Sequence, residues 1–185
     1  MTTVLPSLVL ALLCLLQAGA EVPVQSDFDT GKFAGRWHIT AAVSNCPVFL
    51  SMKDKMKSSI TTISFTPDGH LAMEAVFPLP EECKKVKLLF QQSGQAGHYT
   101  STENEEKRDL RVMDTDYEHY AIVYTLRDRG QEPSTMLQLY TREQDVSPQL
   151  LQKFKELFHS VGLTEDLLAI LPRSGEFQEG RGGTH

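Results

Sequence analysis

Few side chains in this chain are of a type that does covalent chemistry, and their spacing argues against catalysis. Three cysteines occur, Cys14, Cys46 and Cys83. Cys14 falls in an apolar N-terminal run expected to be removed, which leaves two thiols. Outside the cell, two thiols either pair with each other or oxidise onto partners. Cys46 stands beside Pro47, with Lys53, Lys55 and Lys57 close behind, and positive charge favours a thiolate. His38, His70, His98, His119 and His159 show no His-x-x-x-His separation, so no metal site and no cofactor is expected. Asn-x-Ser/Thr acceptors are absent from the sequence.

The chain has 185 residues and a formal charge of -6. Val4 to Leu16 is apolar apart from Ser7, short of the roughly 20 residues that span a bilayer. It ends in Ala18-Gly19-Ala20, the small-x-small pattern of a signal-peptidase site. The expected division is a signal peptide over 1–20, one barrel domain over 21–174 and a disordered polar tail over 175–185, with a secreted, extracellular location. An acidic mature domain repels phosphate backbones, so nucleic acid is not an expected partner, nor is a membrane span expected.

Short alternating runs between turn signals predict an all-β barrel or sandwich. The expected strands cover about 37–43, 58–66, 70–77, 83–92, 98–102, 109–114, 118–126 and 134–141. Pro67-Asp68-Gly69 and Asp128-Arg129-Gly130 are tight-turn sequences, whereas 44–57 and the charged 103–107 read as loops. The period then changes. Ser147-Pro148 begins a helix whose Leu150, Phe154, Leu157, Phe158 and Val161 share one face, and Gly162 stops it. Residues 167–171 form a short ninth strand.

Gly35-Arg36-Trp37, Thr115-Asp116-Tyr117 and Arg142 resemble, in order and spacing, the three signature segments of the lipocalin family. The resemblance implies an all-β fold, an eight-stranded antiparallel up-and-down barrel with one C-terminal helix packed outside. Connections in such a meander alternate between the barrel ends, so the three segments return to one end, where Arg142 can stack on Trp37. The expected role of Gly35, Trp37, Thr115, Asp116, Tyr117 and Arg142 is structural closure.

Strand residues alternate inward and outward. With charged residues placed outside, the interior is expected to hold Ser59, Thr61, Ile63, Met73, Ala75, Phe77, Val86, Leu88, Phe90, Tyr99, Val123, Met136 and Gln138. Phe65 and Tyr140 read as core, while Leu110, Val112, Ala121 and Thr125 also face inward. This mixture suits an apolar ligand pocket. The loop cations, including Lys84, Lys85 and Arg129, share their loops with Asp54, Glu103, Glu105 and Glu106, which predicts a mixed, solvated rim. Arg127 is the exception, since it continues the inward parity of Val123 and Thr125.

The resemblance carries further implications. Siderophore-binding lipocalins place three inward cations where this chain has Leu88, Arg127 and Met136, so that function is disfavoured. The synthase branch uses a strand cysteine where this chain has Ser59, which disfavours an enzyme. The family's tail cysteine is replaced by Phe177, so the usual bond to Cys83 cannot form. Cys46 then either pairs with Cys83 or bonds a partner chain, as in the complement gamma-chain branch. The expected protein is a secreted, monomeric, non-catalytic carrier of a small hydrophobic ligand such as a fatty acid or retinoid, and a protein-partner module is the alternative.

Overall fold

Period-two alternation dominates the chain, and in the computed structural model, which describes residues 21–78 and 83–173, it becomes eight antiparallel strands closed on themselves. They are β1 (Gly35–Ser44), β2 (Ser59–Phe65), β3 (Leu71–Pro78), β4 (Cys83–Gln92), β5 (His98–Glu103), β6 (Glu106–Thr115), β7 (Tyr120–Asp128) and β8 (Ser134–Thr141). Each pairs with the next, and β1 pairs with both β2 and β8, so the sheet closes. The expected leader, the residues 79–82 and the expected tail lie outside the described residues. So do the side chains of Phe77 and Cys83.

β2 meets β1 only from Gly35↔Ile63 to Ile39↔Ser59. The remaining edge of β1 is taken by a short strand, β9 (Leu168–Ile170), through Ala41↔Ile170 to Val43↔Leu168. An edge left bare would present unpaired backbone groups to solvent or to another chain. β4 and β5 pair only at Gln91↔Thr100 and Gln92↔Tyr99, so the wall is thinnest there.

The apolar set divides into two layers. Inside the barrel lie Trp37, Ile39, Ile63, Leu71, Phe90, Tyr99, Leu110, Val112, Val123 and Tyr140. Outside, a helix (Pro148–Ser160) buries Phe154 and Phe158 with Ala41, Val43, Ile122, Leu137 and Leu139 of the barrel's outer face. Its Ser147 cap accepts the Leu150 N–H at 3.1 Å, and Pro148 opens the first turn, where a missing N–H costs nothing.

Two expected loops are structured instead. Residues 44–57, expected to be a polar loop, hold a short helix, α2 (Pro47–Met52), and a 3-10 turn (Lys53–Lys55). Four-residue α1 (Thr30–Phe33) precedes them and the C-terminal helix is α3. The reason is amphipathic: Phe49 is 6 % exposed and joins the inner cluster, with Leu50 and Met56 packed against it. Residues 103–107, expected to be a charged loop, contain a two-residue turn. Asn104 and Glu105 take left-handed φ values of 51° and 63°, the backbone that two-residue hairpins favour. β6 therefore starts at Glu106, and Glu106 and Arg108 continue the inward parity of Leu110 and Val112.

Candidate ligand cavity and the plugged end

The three signature segments meet at one end of the barrel. Arg142 stands 3.6 Å from the centroid of the Trp37 ring, which is wholly buried. Its Nε donates to the Tyr117 carbonyl at 3.0 Å, Nη1 to Arg36 O at 3.0 Å, and Nη2 to Lys32 O and Ala34 O at 2.8 and 3.2 Å. One guanidinium thus ties the entry to β1 to the β6–β7 turn. Trp37 Nε1 donates to Phe33 O at 2.8 Å. Gly35 lies at φ 109°, where a Cβ would approach Arg142 Nη1 to 3.2 Å, so a side chain there would strain the backbone and crowd the cation.

Thr115 Oγ1 donates to Tyr120 O and accepts the Tyr117 N–H, holding the turn shut. Asp116 accepts the backbone N–H groups of His119 and Tyr120 at 2.8 and 2.9 Å and faces the His119 ring at 2.8 Å. Burial alone would raise the Asp116 carboxyl, but these donors and the His119 charge hold it below its ordinary value. His119 is raised in return, chiefly by its hydrogen bond to Asp116. The polar groups of Thr115, Asp116 and Arg142 thus hold this end closed.

Above the plug the barrel contains a cavity of about 310 Å³. Of the expected interior residues, Met73, Val86, Leu88, Phe90, Arg127, Met136 and Gln138 line it. Ser59, Thr61, Ile63, Ala75, Tyr99 and Val123 are buried at 5 % exposure or less but lie outside its lining. Ser59 stands in register with Ile39, and Thr61 with Trp37, on the side of the barrel that Phe49 and Ile39 fill. Tyr140, expected to be core, borders the cavity, and its complete burial raises the phenol. Alternation tells inward from outward, but the depth of the filling decides which inward residue meets empty space.

At the mouth Lys84, Lys85, Glu103, Glu105 and Arg129 are exposed, as a solvated rim requires, but Glu106 is not. Arg108 and Arg127 both line the cavity and stand directly opposite each other in the β6–β7 register. Glu106 is 9 % exposed and accepts from Arg108 Nη2 at 3.2 Å and from Arg129 Nη2 at 3.3 Å. Its second oxygen pairs with Arg127 Nε. Sequence reasoning missed Glu106 and Arg108 because it began the strand three residues late and sent charge outward. The available signal was parity, run back from Leu110 through Arg108 to Glu106.

Cys46, Ser44 and Ser134 also border the cavity. Cys46 N-caps α2 and carries a free thiol. Burial pushes that thiol up, but the Phe49 and Val48 N–H groups, the Ser134 hydroxyl and the Arg127 charge outweigh it, so the net shift is downward. Among the described residues no cluster of His, Cys, Asp and Glu is arranged to hold a metal ion, and no helix is long and apolar enough to cross a membrane.

A closed barrel of this topology, plugged at one end by Trp37 beneath Arg142, matches the lipocalin / cytosolic fatty-acid binding protein family over residues 34–174, and the chain belongs to that family. Relatives are similar over nearly their whole length. Human lipocalin-15 is 37 % identical over 166 residues, 90 % of each chain. The extracellular fatty acid-binding protein of Coturnix japonica is 37 % identical, covering 95 % of this chain and 97 % of its own. Prostaglandin-H2 D-isomerase of Ovis aries is 32 % identical over 94 % of both chains. A solved structure described as "The Siderocalin Ex-FABP functions through dual ligand specificities" superposes with a TM-score of 0.68 at 34 % identity, covering 76 % of this chain and 94 % of that one.

Proposed function

We propose that the protein is a secreted, monomeric, non-catalytic carrier that holds one small hydrophobic molecule, a fatty acid, a retinoid or a similar compound, inside the barrel. The observation that carries this reading is the cavity of about 310 Å³ inside the barrel, walled by Met73, Val86, Leu88, Phe90 and Met136. That volume is at the lower end of the roughly 300–1,000 Å³ typical of small-molecule sites, which suits one slender chain. The relatives named as extracellular fatty acid-binding proteins support the same chemistry. The resemblance puts the synthase branch's nucleophile at Ser59 or within one or two residues of it, and none of residues 57–61 lines the cavity, which supports a carrier over an isomerase.

The test is a panel of fatty acids and retinoids in fluorescence displacement, with Leu88→Trp as the blocking variant. Binding at about micromolar Kd, near 8 kcal/mol, is expected for wild type and at least tenfold weaker binding for the variant. A panel without binding refutes the carrier. Turnover of a prostaglandin endoperoxide that disappears in Cys46→Ser would put catalysis in its place. A second reading, a partner-docking module, draws on α2, where Val48 and Met52 beside Cys46 are 61 % and 50 % exposed. Disulfide-linked species on non-reducing gels would favour it.

A further inference from the structure

We propose that Glu106 is a resident carboxylate that occupies the head-group position of the barrel and sets how strongly the cavity discriminates an acid from a neutral ligand. The inference rests on the carrier reading and adds the residue that decides ligand class.

Arg108 and Arg127 are direct cross-strand partners on the inward face, one rung above Leu110 and Thr125. Like charges directly opposite each other in a ladder repel, and both guanidinium groups are largely withdrawn from water, at 23 % and 32 % side-chain exposure. An anion between them removes that conflict. Glu106 supplies it from the next inward position of β6, gathering Arg108, Arg127 and Arg129 onto one carboxylate. Arg129 is 62 % exposed and marks the solvent side of the cluster, whereas Arg108 and Arg127 border the cavity.

Glu103, across the ladder from Glu106, adds a second carboxylate that faces Arg108; three guanidinium groups against two carboxylates still leave positive charge unmatched, and a ligand acid rising from the cavity meets Arg108 and Arg127 first. To bind them it exchanges with Glu106, which retreats toward Arg129. Acid binding therefore gains only the difference between two carboxylates. Neutral ligands leave the cluster as it is. The wild-type protein should accordingly separate an acid from its alcohol only weakly. Removing the Glu106 charge should expose the full strength of a charge-assisted contact.

Retinoic acid and retinol share one apolar body and differ at the head, so the ratio of their affinities isolates the cluster. In Glu106→Gln the acid-over-alcohol ratio should rise about tenfold, the equivalent of one charge-assisted hydrogen bond. In Arg127→Gln it should fall below the wild-type ratio. Because Glu106→Gln leaves two opposed arginines and can fail to fold, the Arg127→Gln measurement stands as an independent arm. An unchanged or lowered ratio in folded Glu106→Gln, or an unchanged ratio in Arg127→Gln, overturns the proposal while both ligands still bind, so the carrier reading survives. A wild-type protein that binds neither ligand removes the carrier reading and this inference with it.

Discussion

Replacing Trp37 by alanine removes the plug of the barrel, and the cost can be worked from its contacts. The indole has no exposed surface, lies 5.5 Å from the Phe33 ring and 6.4 Å from Tyr140, and carries the Arg142 guanidinium on its face. Burying 150–250 Å² of such a side chain at 25 cal/mol/Å² is worth about 4–6 kcal/mol as an upper bound. The hydrogen bond to Phe33 O adds about 1 kcal/mol, and the cation stack about 0.5–2 kcal/mol. Alanine keeps a little of that burial and the site relaxes, so about 3–5 kcal/mol is expected, in line with other aromatic truncations. For a domain of this size that lowers Tm by roughly 10 °C or more. Trp37→Phe should cost less, mainly the lost bond to Phe33 O. Trp37 is the sole tryptophan, so unfolding of the variant should be followed by far-UV circular dichroism on heating. A Tm within about 2 °C of wild type for Trp37→Ala, or wild-type indole emission as red-shifted as that of free indole in water, would refute the assignment of Trp37 as the plug.

Three further outcomes are expected. Cys46 should alkylate with a pH midpoint below that of an ordinary thiol, because its net shift is downward; a midpoint at or above the ordinary value would contradict that environment. Peptide mapping of protein from its natural source checks that free thiol: an unlinked Cys46 peptide is expected, and a Cys46–Cys83 cross-link, worth about 3–4 kcal/mol by loop closure, would overturn it and exclude the covalent partner. Asp116 is depressed when folded, so its stabilisation is complete above about pH 4 and is lost as pH falls through its folded value; His119 is raised, so its share is present below about pH 6.5 and is lost as pH rises through its folded value. Asp116→Asn should therefore flatten the acid limb of a Tm-versus-pH curve, and an unchanged acid limb would show that the turn does not draw on that charge.

Much of the fold was legible because a closed barrel enforces parity. A strand in an open sheet can hide one face in solvent, but in a meander that closes, each strand must turn one side to a shared interior. Pro67-Asp68-Gly69 placed one turn, and Gly69 does sit at a left-handed φ of 84°. Ser147-Pro148 and the spacing of Phe154 and Phe158 placed α3. The extra strand over 167–171 was legible, but its partner was not: β9 is needed because β2 leaves β1 at Ile39, and strand lengths do not announce such a shortfall. Phe49 in α2 was missed because the three lysines after it, Lys53, Lys55 and Lys57, make the segment look solvated.

The cavity mouth was illegible for a reason that also explains how it is built. A segment of Glu103-Asn104-Glu105-Glu106-Lys107 has no glycine and five polar residues, so a solvated loop is the economical reading. The protein instead forces Glu105 into left-handed backbone, which costs an ordinary residue about 1–2 kcal/mol. A looser loop would avoid that strain but would free the register of β6 against β5, now held from His98↔Arg111 to Glu103↔Glu106. With the register held, Glu106 and Arg108 must point inward, and their burial is tolerable only as a group, since a lone carboxylate or guanidinium at this depth would be heavily penalised. The tight turn, the inward glutamate and the opposed arginines thus form one device. Lengthening the turn by one residue should loosen Glu106 while the β6–β7 ladder from Lys107↔Asp128 still holds Arg108 inward and Trp37 and Arg142 stay untouched, so the plugged end and the selective end of this barrel can be altered separately.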